Sequence, residues 1–364
     1  MSERIVFKSL DRRSGAELEE FLSFPVQLYG NTAKTRNGIA KTRQIIDAAT
    51  TDHRFLVAKK DGVTIGRMAV GSNNDIRDQT GAPYGQIGLF EVVEDYQTFA
   101  AMLDYGRYLC KERCRSILFP FYISTWYQYR FISKGFDAFE IFLETDNKDY
   151  YAPFARRYGV EETFLYRSYL NTIDDFTAKN KPAHDKAVAS GIMFRPFNMS
   201  DVRNELRIVY DLSTRGFQTN PFYIDITFER FLDLYRPSLK ILDKDFFIFV
   251  LDETKKPLGY VFCAPDYTGL YTSIDLHSLR GKMRFLLERK RVSGLIMKSG
   301  AIHSAYQGRG LSNALSYRVG MLAKQRNYHY IILALMHAQN RSTRLSSSDK
   351  TEKEYELYTI AVTR

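Results

Sequence analysis

One order of hydrophobic patterns occurs twice along this chain, and that repeat limits the folds open to it. Residues 17–28 and 41–49 carry apolar side chains at helical spacing. Two alternating runs follow, 54–59 and 64–70, meeting around Lys60-Asp61-Gly62. A strand over 86–91, a helix over 96–111 and a strand over 116–120 complete the first copy. In the second copy, helices over 201–215 and 228–235 precede a hairpin of 246–252 and 258–264. A strand over 294–303, a helix over 312–325 and strands over 330–336 and 354–361 then follow. Helices, hairpin, strand, helix, strand: the repeat predicts two α/β units of one plan, and 364 residues suffice for two cores. Between them, Asp174-Asp175 and Lys179-Asn180-Lys181-Pro182 interrupt any apolar period, so the segment reads as a linker or a short polar helix. The expected division is 1–172, a linker over 173–190, and 191–364.

The copies differ where the third strand turns into its helix. The second has Ile302-His303-Ser304-Ala305-Tyr306-Gln307-Gly308-Arg309-Gly310-Leu311-Ser312. A glycine loop opening a helix leaves unpaired N–H groups at the positive end of the helix dipole, which suits phosphate. Gly308 and Gly310 let a ligand approach the backbone, and Arg309 adds positive charge. No Gly-Lys-Ser/Thr follows, which excludes a Walker loop, and the dinucleotide fingerprint Gly-x-Gly-x-x-Gly is absent here. At the same place the first copy has Phe90-Glu91-Val92-Val93-Glu94-Asp95-Tyr96, whose three carboxylates repel phosphate. The first half is therefore expected to bind no cofactor, and to act as a scaffold or as one wall of a shared cleft.

Charge points the same way. Residues 1–172 hold 23 Lys and Arg against 22 Asp and Glu, whereas 173–364 hold 29 against 20. The basic residues are dispersed apart from Arg280-Gly281-Lys282-Met283-Arg284 and Arg289-Lys290-Arg291. Dispersed charge favours steering of a small anion, and no nucleic acid is expected as partner. Cys110, Cys114 and Cys263 are expected to be reduced structural thiols, and without histidine partners they complete no metal site. No apolar run approaches the roughly 20 residues of a membrane span. Met1-Ser2-Glu3-Arg4 lacks the apolar start of a signal peptide, so the expected location is the cytoplasm.

The order Gln307-x-x-Gly310-x-Ser312 resembles the Arg/Gln-x-x-Gly-x-Gly/Ala loop of GNAT-superfamily acyltransferases, and the whole chain resembles bacterial tandem-GNAT proteins. Further similar segments are Leu258-Gly259-Tyr260-Val261-Phe262, Ala264-Pro265-Asp266-Tyr267, Asp275-Leu276 and Leu279-Arg280-Gly281-Lys282, with Asn340 after the 331–336 strand. In the first half they are Ile87-Gly88-Leu89-Phe90-Glu91, Gly135-Phe136-Asp137, and Asn147 with Tyr150-Tyr151. The resemblance implies an α/β (α+β) fold of two tandem GNAT-like domains, each a central mixed, mostly antiparallel sheet flanked by helices. It implies acetyl-CoA or another acyl-CoA as co-substrate, no metal, and direct transfer to an amine in a ternary complex. Carried over by position, the Ile302 backbone pairs with the pantetheine arm. Amides from Gln307 through Gly308, Arg309, Gly310 and Leu311 to Ser312 hold pyrophosphate, and Asn340 bonds the cofactor or else caps the next helix. The tyrosine that many relatives place two turns beyond this Asn is missing from Arg344-Leu345-Ser346-Ser347-Ser348-Asp349-Lys350, and Ser312 replaces Gly or Ala.

Acyl transfer needs a group that takes a proton from the amine and a donor for the departing thiolate. His303, at the end of its strand, is the leading titratable candidate, against a reading as a surface or cap histidine. Tyr306 as a donor, Asp275 and His277 in the insertion before that strand, and Cys263 as an acyl acceptor rank behind it. Asn220-Pro221-Phe222-Tyr223, Trp126, Tyr127, Tyr129 and Tyr150-Tyr151 are candidates to line an acceptor cleft, although aromatic core explains each singly. The expected acceptor is a small-molecule or peptide amine. The alternatives are a catalytically silent acyl-CoA-binding module and a long-chain acyl or aminoacyl transferase.

Overall fold

The computed structural model of the chain describes residues 4–11, 13–48, 53–127, 129–142, 144, 146–239 and 243–363. Ala49, the expected end of a helix, and Met1-Ser2-Glu3 lie outside the described residues. The chain runs β1 (Val6–Leu10), α1 (Gly15–Tyr29), α2 (Ala33–Ala48), β2 (Arg54–Lys60), β3 (Val63–Arg77), β4 (Pro83–Val92), α3 (Tyr96–Cys110) and β5 (Ser116–Phe119). Then come β6 (Phe131–Lys134), α4 (Tyr151–Tyr158), β7 (Glu162–Thr172), α5 (Ile173–Ala189), β8 (Met193–Pro196), α6 (Val202–Phe217) and α7 (Phe228–Leu239). The remainder is β9 (Phe247–Leu251), β10 (Pro257–Pro265), α8 (Thr268–Ser273), α9 (Leu279–Glu288), β11 (Gly294–Ile302), α10 (Leu311–Gln325), β12 (Tyr330–His337) and β13 (Lys353–Ala361).

Two compact units form, and the chain path interleaves them. The first is Met1–Leu165 with Thr268–Lys290 and Glu354–Arg364; the second is Tyr166–Tyr267 with Arg291–Lys353. In the first unit the strand order is β1-β2-β3-β4-β5-β13, with β6 also on β13. Its ladders are antiparallel except β4 with β5. In the second unit the order is β7-β12-β11-β10-β9-β8, again antiparallel except for β11 with β12. Element for element the two sheets have one topology, with the late strand β13 and the early strand β7 in matching places.

Alternation along the strands builds the layers. In β2, Phe55 and Val57 pack with Phe21 and Leu22 of α1, while Leu56 and Ala58 pack with Phe99 and Met102 of α3 on the other face. In the second unit, Ile248, Val250, Val261 and Cys263 meet Phe176 of α5 and Leu315 and Val319 of α10.

α5 occupies the stretch read as a linker or short polar helix. Thr172 Oγ1 accepts from Asp175 N at 3.1 Å to cap it, and Asp174 and Asp175 suit its first turn. Its pattern is hard to see because two inward positions are polar. Thr177 Oγ1 donates to Ile173 O at 2.6 Å and Asn180 Nδ2 to Phe176 O at 2.8 Å, which lets both side chains be buried.

Candidate active site

β11 and β12 pair in parallel only from Gly294 with Tyr330 to Met297 with Leu333. β12 then turns away: Leu335 has φ of 57°, its N–H donates to Ser168 Oγ at 3.1 Å, and Met336 pairs with Arg167 of β7. β11 continues on its other edge, where Gly259 pairs with Ile302 and His303 N donates to Leu258 O at 2.8 Å. The strands therefore splay beyond Met297 and Leu333. Ile302 lies at the end of this opening, and its carbonyl accepts from Gln307 Nε2 at 3.1 Å.

From the opening the chain passes through a short 3-10 turn, Ser304–Tyr306, into the glycine loop. Gly308 and Gly310 have φ of 78° and 80°, left-handed values that glycine adopts without Cβ strain. Gln307, Gly308 and Arg309 are exposed, Ser312 is half-buried and Leu311 is buried in the core. Gly310 is the N-cap of α10 and brings no side-chain cap. The first turn of α10 thus has backbone donors that no N-cap side chain takes, and the Arg309 guanidinium just before it lies 5.0 Å from the Tyr306 ring centroid.

The corresponding place in the first unit is closed. Asp95 caps α3, with Oδ2 accepting from Thr98 N at 2.9 Å and Oδ1 from Gln97 N at 3.2 Å. Burial raises its pKa, but the Thr98 hydroxyl and these backbone donors outweigh that and hold the carboxyl below its ordinary value. The gap beyond β4 and β5 is filled by the chain itself. Phe121 N donates to Ile87 O at 2.7 Å, and Ile123 N donates to Gln86 Oε1 at 3.0 Å. A Cβ on Gly88 would lie 2.5 Å from Phe121 O, so the strand and the plug meet backbone to backbone.

The first unit holds a different concavity, of about 460 Å³, between α1, α2, β4 and the segment after β5. At one wall Glu91 Oε2 accepts from both Tyr29 and Tyr151 hydroxyls at 2.8 Å, with Arg67 Nη2 4.0 Å from Oε1. Burial raises the Glu91 carboxyl above its ordinary value, against the pull of Arg67. Burial likewise lowers the Arg67 guanidinium, whose Nη1 donates to Phe21 O at 2.8 Å.

The other candidate residues separate between the units. His303 Nδ1 lies 3.3 Å from Ala305 N, and its Nε2 lies 3.3 Å from Arg215 Nη1. Both neighbours are donors and a neutral imidazole has one acceptor nitrogen, so the two contacts compete. Asn340 Oδ1 accepts from Ser342 N at 3.1 Å and caps the turn Arg341–Leu345. Asp275, which bonds Arg36 Nε at 3.2 Å, and His277 belong to the first unit. Cys263 is fully buried and burial pushes its thiol up, which removes it as an acyl acceptor.

Trp126, Tyr127, Tyr129, Tyr150 and Tyr151 also belong to the first unit, and Tyr129 lines its cavity. Asn220 and Tyr223 lie in the second unit, with Tyr223 OH donating to Asp225 at 2.9 Å. Among the described residues, no group of three or more His, Cys, Asp or Glu is placed to hold a metal ion.

Sequence reasoning missed what flanks the loop. A Cβ on Gly310 would lie 3.5 Å from that of Ala183 in α5, and Asn313 Nδ2 donates to Asn180 Oδ1 at 2.8 Å. Asn171 Oδ1 gathers Ser346 Oγ at 2.9 Å, Ser347 N at 2.6 Å and Ser348 N at 3.1 Å, shaping the stretch where the tyrosine is absent. A single buried asparagine leaves no periodic trace. The run Ser346-Ser347-Ser348 was the available signal.

No family model matches the chain. Protein YghO of Escherichia coli strain K12 is similar at 23% identity over 288 residues, covering 77% of this chain and 73% of that one. A tandem GNAT protein from the clavulanic acid biosynthesis pathway superposes at a TM-score of 0.53 and 10% identity, over 99% of both chains. The chain has the tandem GNAT fold. The same fold matches a GCN5-related glucosamine N-acetyltransferase region in a fungal multi-domain β-N-acetylglucosaminidase, at a TM-score of 0.54 and 14% identity. That match covers 99% of this chain and 38% of the longer fungal one. In tandem GNAT terms the splayed strands and glycine loop lie in the second repeat, and the plugged strands and capped helix in the first.

Proposed function

We propose that this tandem GNAT protein is an acyl-CoA-dependent N-acyltransferase whose co-substrate, acetyl-CoA or a related acyl-CoA, is held by the second unit. One contrast carries the reading: the N-terminus of α10 has no side-chain cap and follows the exposed Gln307-Gly308-Arg309 beside splayed strands, while Asp95 and Phe121–Ile123 close its counterpart. The residues fit the group. Amides from Gln307 to Ser312 would take the pyrophosphate, with Arg309 supplying charge. The Ile302 carbonyl would exchange the Gln307 side chain for an amide of the pantetheine arm. Asn340 already uses Oδ1 on Ser342 N, so its contribution would be the Nδ2 donor.

Bound acyl-CoA supplies the thioester carbonyl that the amine attacks. His303 is the proposed proton acceptor, and it must give up either Ala305 N or Arg215 to take the amine proton. A small-molecule or peptide amine is the proposed acceptor. The experiment is incubation with acetyl-CoA and an amine panel, following free thiol and acylated product. Thiol release that depends on the amine supports the reading.

A second reading, an acyl-CoA-binding module without turnover, is favoured by one observation. Ser346 and Ser347, in the stretch lacking the tyrosine, commit their hydroxyls to Asn171. CoA binding without thiol release across the panel would select it.

A further inference from the structure

Nine large hydrophobic residues are exposed among the described residues, and four belong to the ten-residue helix α9: Leu279 (80% exposed), Met283 (66%), Leu286 (55%) and Leu287 (75%). The helix itself is well specified. Ser278 Oγ accepts from Gly281 N at 3.0 Å as its N-cap. Its preceding arm is pinned to α2, where buried Asn37 donates to Tyr271 O at 2.9 Å and Ile274 O at 3.1 Å. α9 holds to the protein by one side only, through buried Gly281 and Phe285. A Cβ on Gly281 would lie 1.9 Å from Asp275 O, so the contact is close.

At about 100° per residue, Leu279, Met283, Leu286 and Leu287 fall within an arc of roughly 100° directly opposite Gly281 and Phe285. The apolar stripe therefore faces away from the core. Lys282 borders it on one side, and Arg280 and Arg284 on the other. Arg289, Lys290 and Arg291 extend the positive charge past its end. From Leu279 to Arg291 there are six basic residues and one acidic, Glu288, which pairs with Arg284 at 2.7 Å. An ordinary surface helix turns its apolar stripe inward and its charges outward. Here the outward stripe is apolar and its borders are cationic.

We propose that α9 is an interfacial anchor that docks the protein on an anionic phospholipid surface. Leu279, Met283, Leu286 and Leu287 enter the acyl boundary while the flanking Lys and Arg lie at headgroup depth. Charge complementarity selects the occupant. Six cations around the stripe repel the same helix of a second copy, and a nucleic acid leaves four apolar side chains uncovered. No helix among the described residues is long and apolar enough to cross a membrane, so the attachment is peripheral.

The test is flotation of the full-length protein with vesicles of phosphatidylglycerol and phosphatidylcholine in equal parts, against vesicles of phosphatidylcholine alone. Binding to the anionic vesicles is expected, weakening about tenfold with added salt or with Arg280→Glu plus Lys282→Glu. It should be lost in Leu279→Ser, Leu286→Ser, Leu287→Ser, whose exposed positions leave the thermal midpoint unchanged. Three results would overturn the proposal: no binding by the unaltered protein, equal binding by the serine variant, or equal binding to both vesicle types. A concentration-dependent dimer that the serine variant disperses, without vesicle binding, gives the face to a second copy and also overturns it.

Discussion

Asp95 Oδ2 accepts from Thr98 N at 2.9 Å and from Thr98 Oγ1 at 2.5 Å, so the chain's own carboxylate closes the N-terminus of α3. Removing that cap in Asp95→Ala should cost about 1 kcal/mol of stability, and Asp95→Asn less, since Asn also caps. Because the folded protein holds this carboxyl below its ordinary value, the cap contributes above that value and fades as acid protonates it. Urea unfolding of the variants at neutral pH measures the cost. Equal stability of Asp95→Ala and the unaltered protein would show that the cap carries no load.

Gly310 offers no such carboxylate, and CoA should raise the thermal midpoint by stabilising the folded state, by about 2.7 kcal/mol of free energy at a hundredfold excess over Kd. Gly310→Glu should abolish that shift by placing like charge in the pyrophosphate site. Gly310→Ala is the control. It carries the same strain at φ of 80° without the charge, so some CoA response should survive. Glu94→Lys in the first unit should leave CoA affinity unchanged, and calorimetric titration separates these cases.

Asn171 Oδ1 is the common acceptor for Ser346, Ser347 and Ser348, and Asn171 is buried. Asn171→Leu leaves the Ser347 amide and hydroxyl without their acceptor, while Ser346 Oγ and Ser348 N keep their bonds within the run, and should destabilise by about 1–3 kcal/mol. Faster hydrogen exchange is expected at the Ser347 amide; unchanged exchange there would refute the arrangement.

His337 packs its ring 5.2 Å from that of Tyr166, and burial holds its pKa below 6.5. The unfolded chain then binds the proton more readily, so acidification from pH 6.5 downward must cost stability through this group. His337→Gln should flatten the fall in thermal midpoint between about pH 7 and 5. A variant curve parallel to the original would remove His337 from the acid response.

Legibility followed sequence distance and chemistry. Strongly periodic segments such as α10 and the hairpin of β9 and β10 read clearly, because each pattern is set by neighbours in sequence. The glycine loop read clearly because its backbone requirement selects one residue type. α5 was obscured by the inward polar Thr177 and Asn180, and the plug at Phe121–Ile123 depends on Gln86, far off in the chain. The cavity in the first unit gathers residues from α1, α2, β3, β4 and α8, so no local motif announces it. α9 was visible as basic clusters, but its outward apolar stripe needed the buried Gly281 and Phe285 to show which side faces the core.

The place of β13 has a consequence for synthesis. The first unit completes its sheet with a strand ending at Ala361, so on the ribosome it waits for β13 before β5 gains its second neighbour. The last residue of the second compact unit is Lys353. Nascent chains should therefore gain protease resistance in the reverse of the usual N-to-C order. A fragment ending at residue 172 would emerge with β5 as an unpaired edge, poised to aggregate.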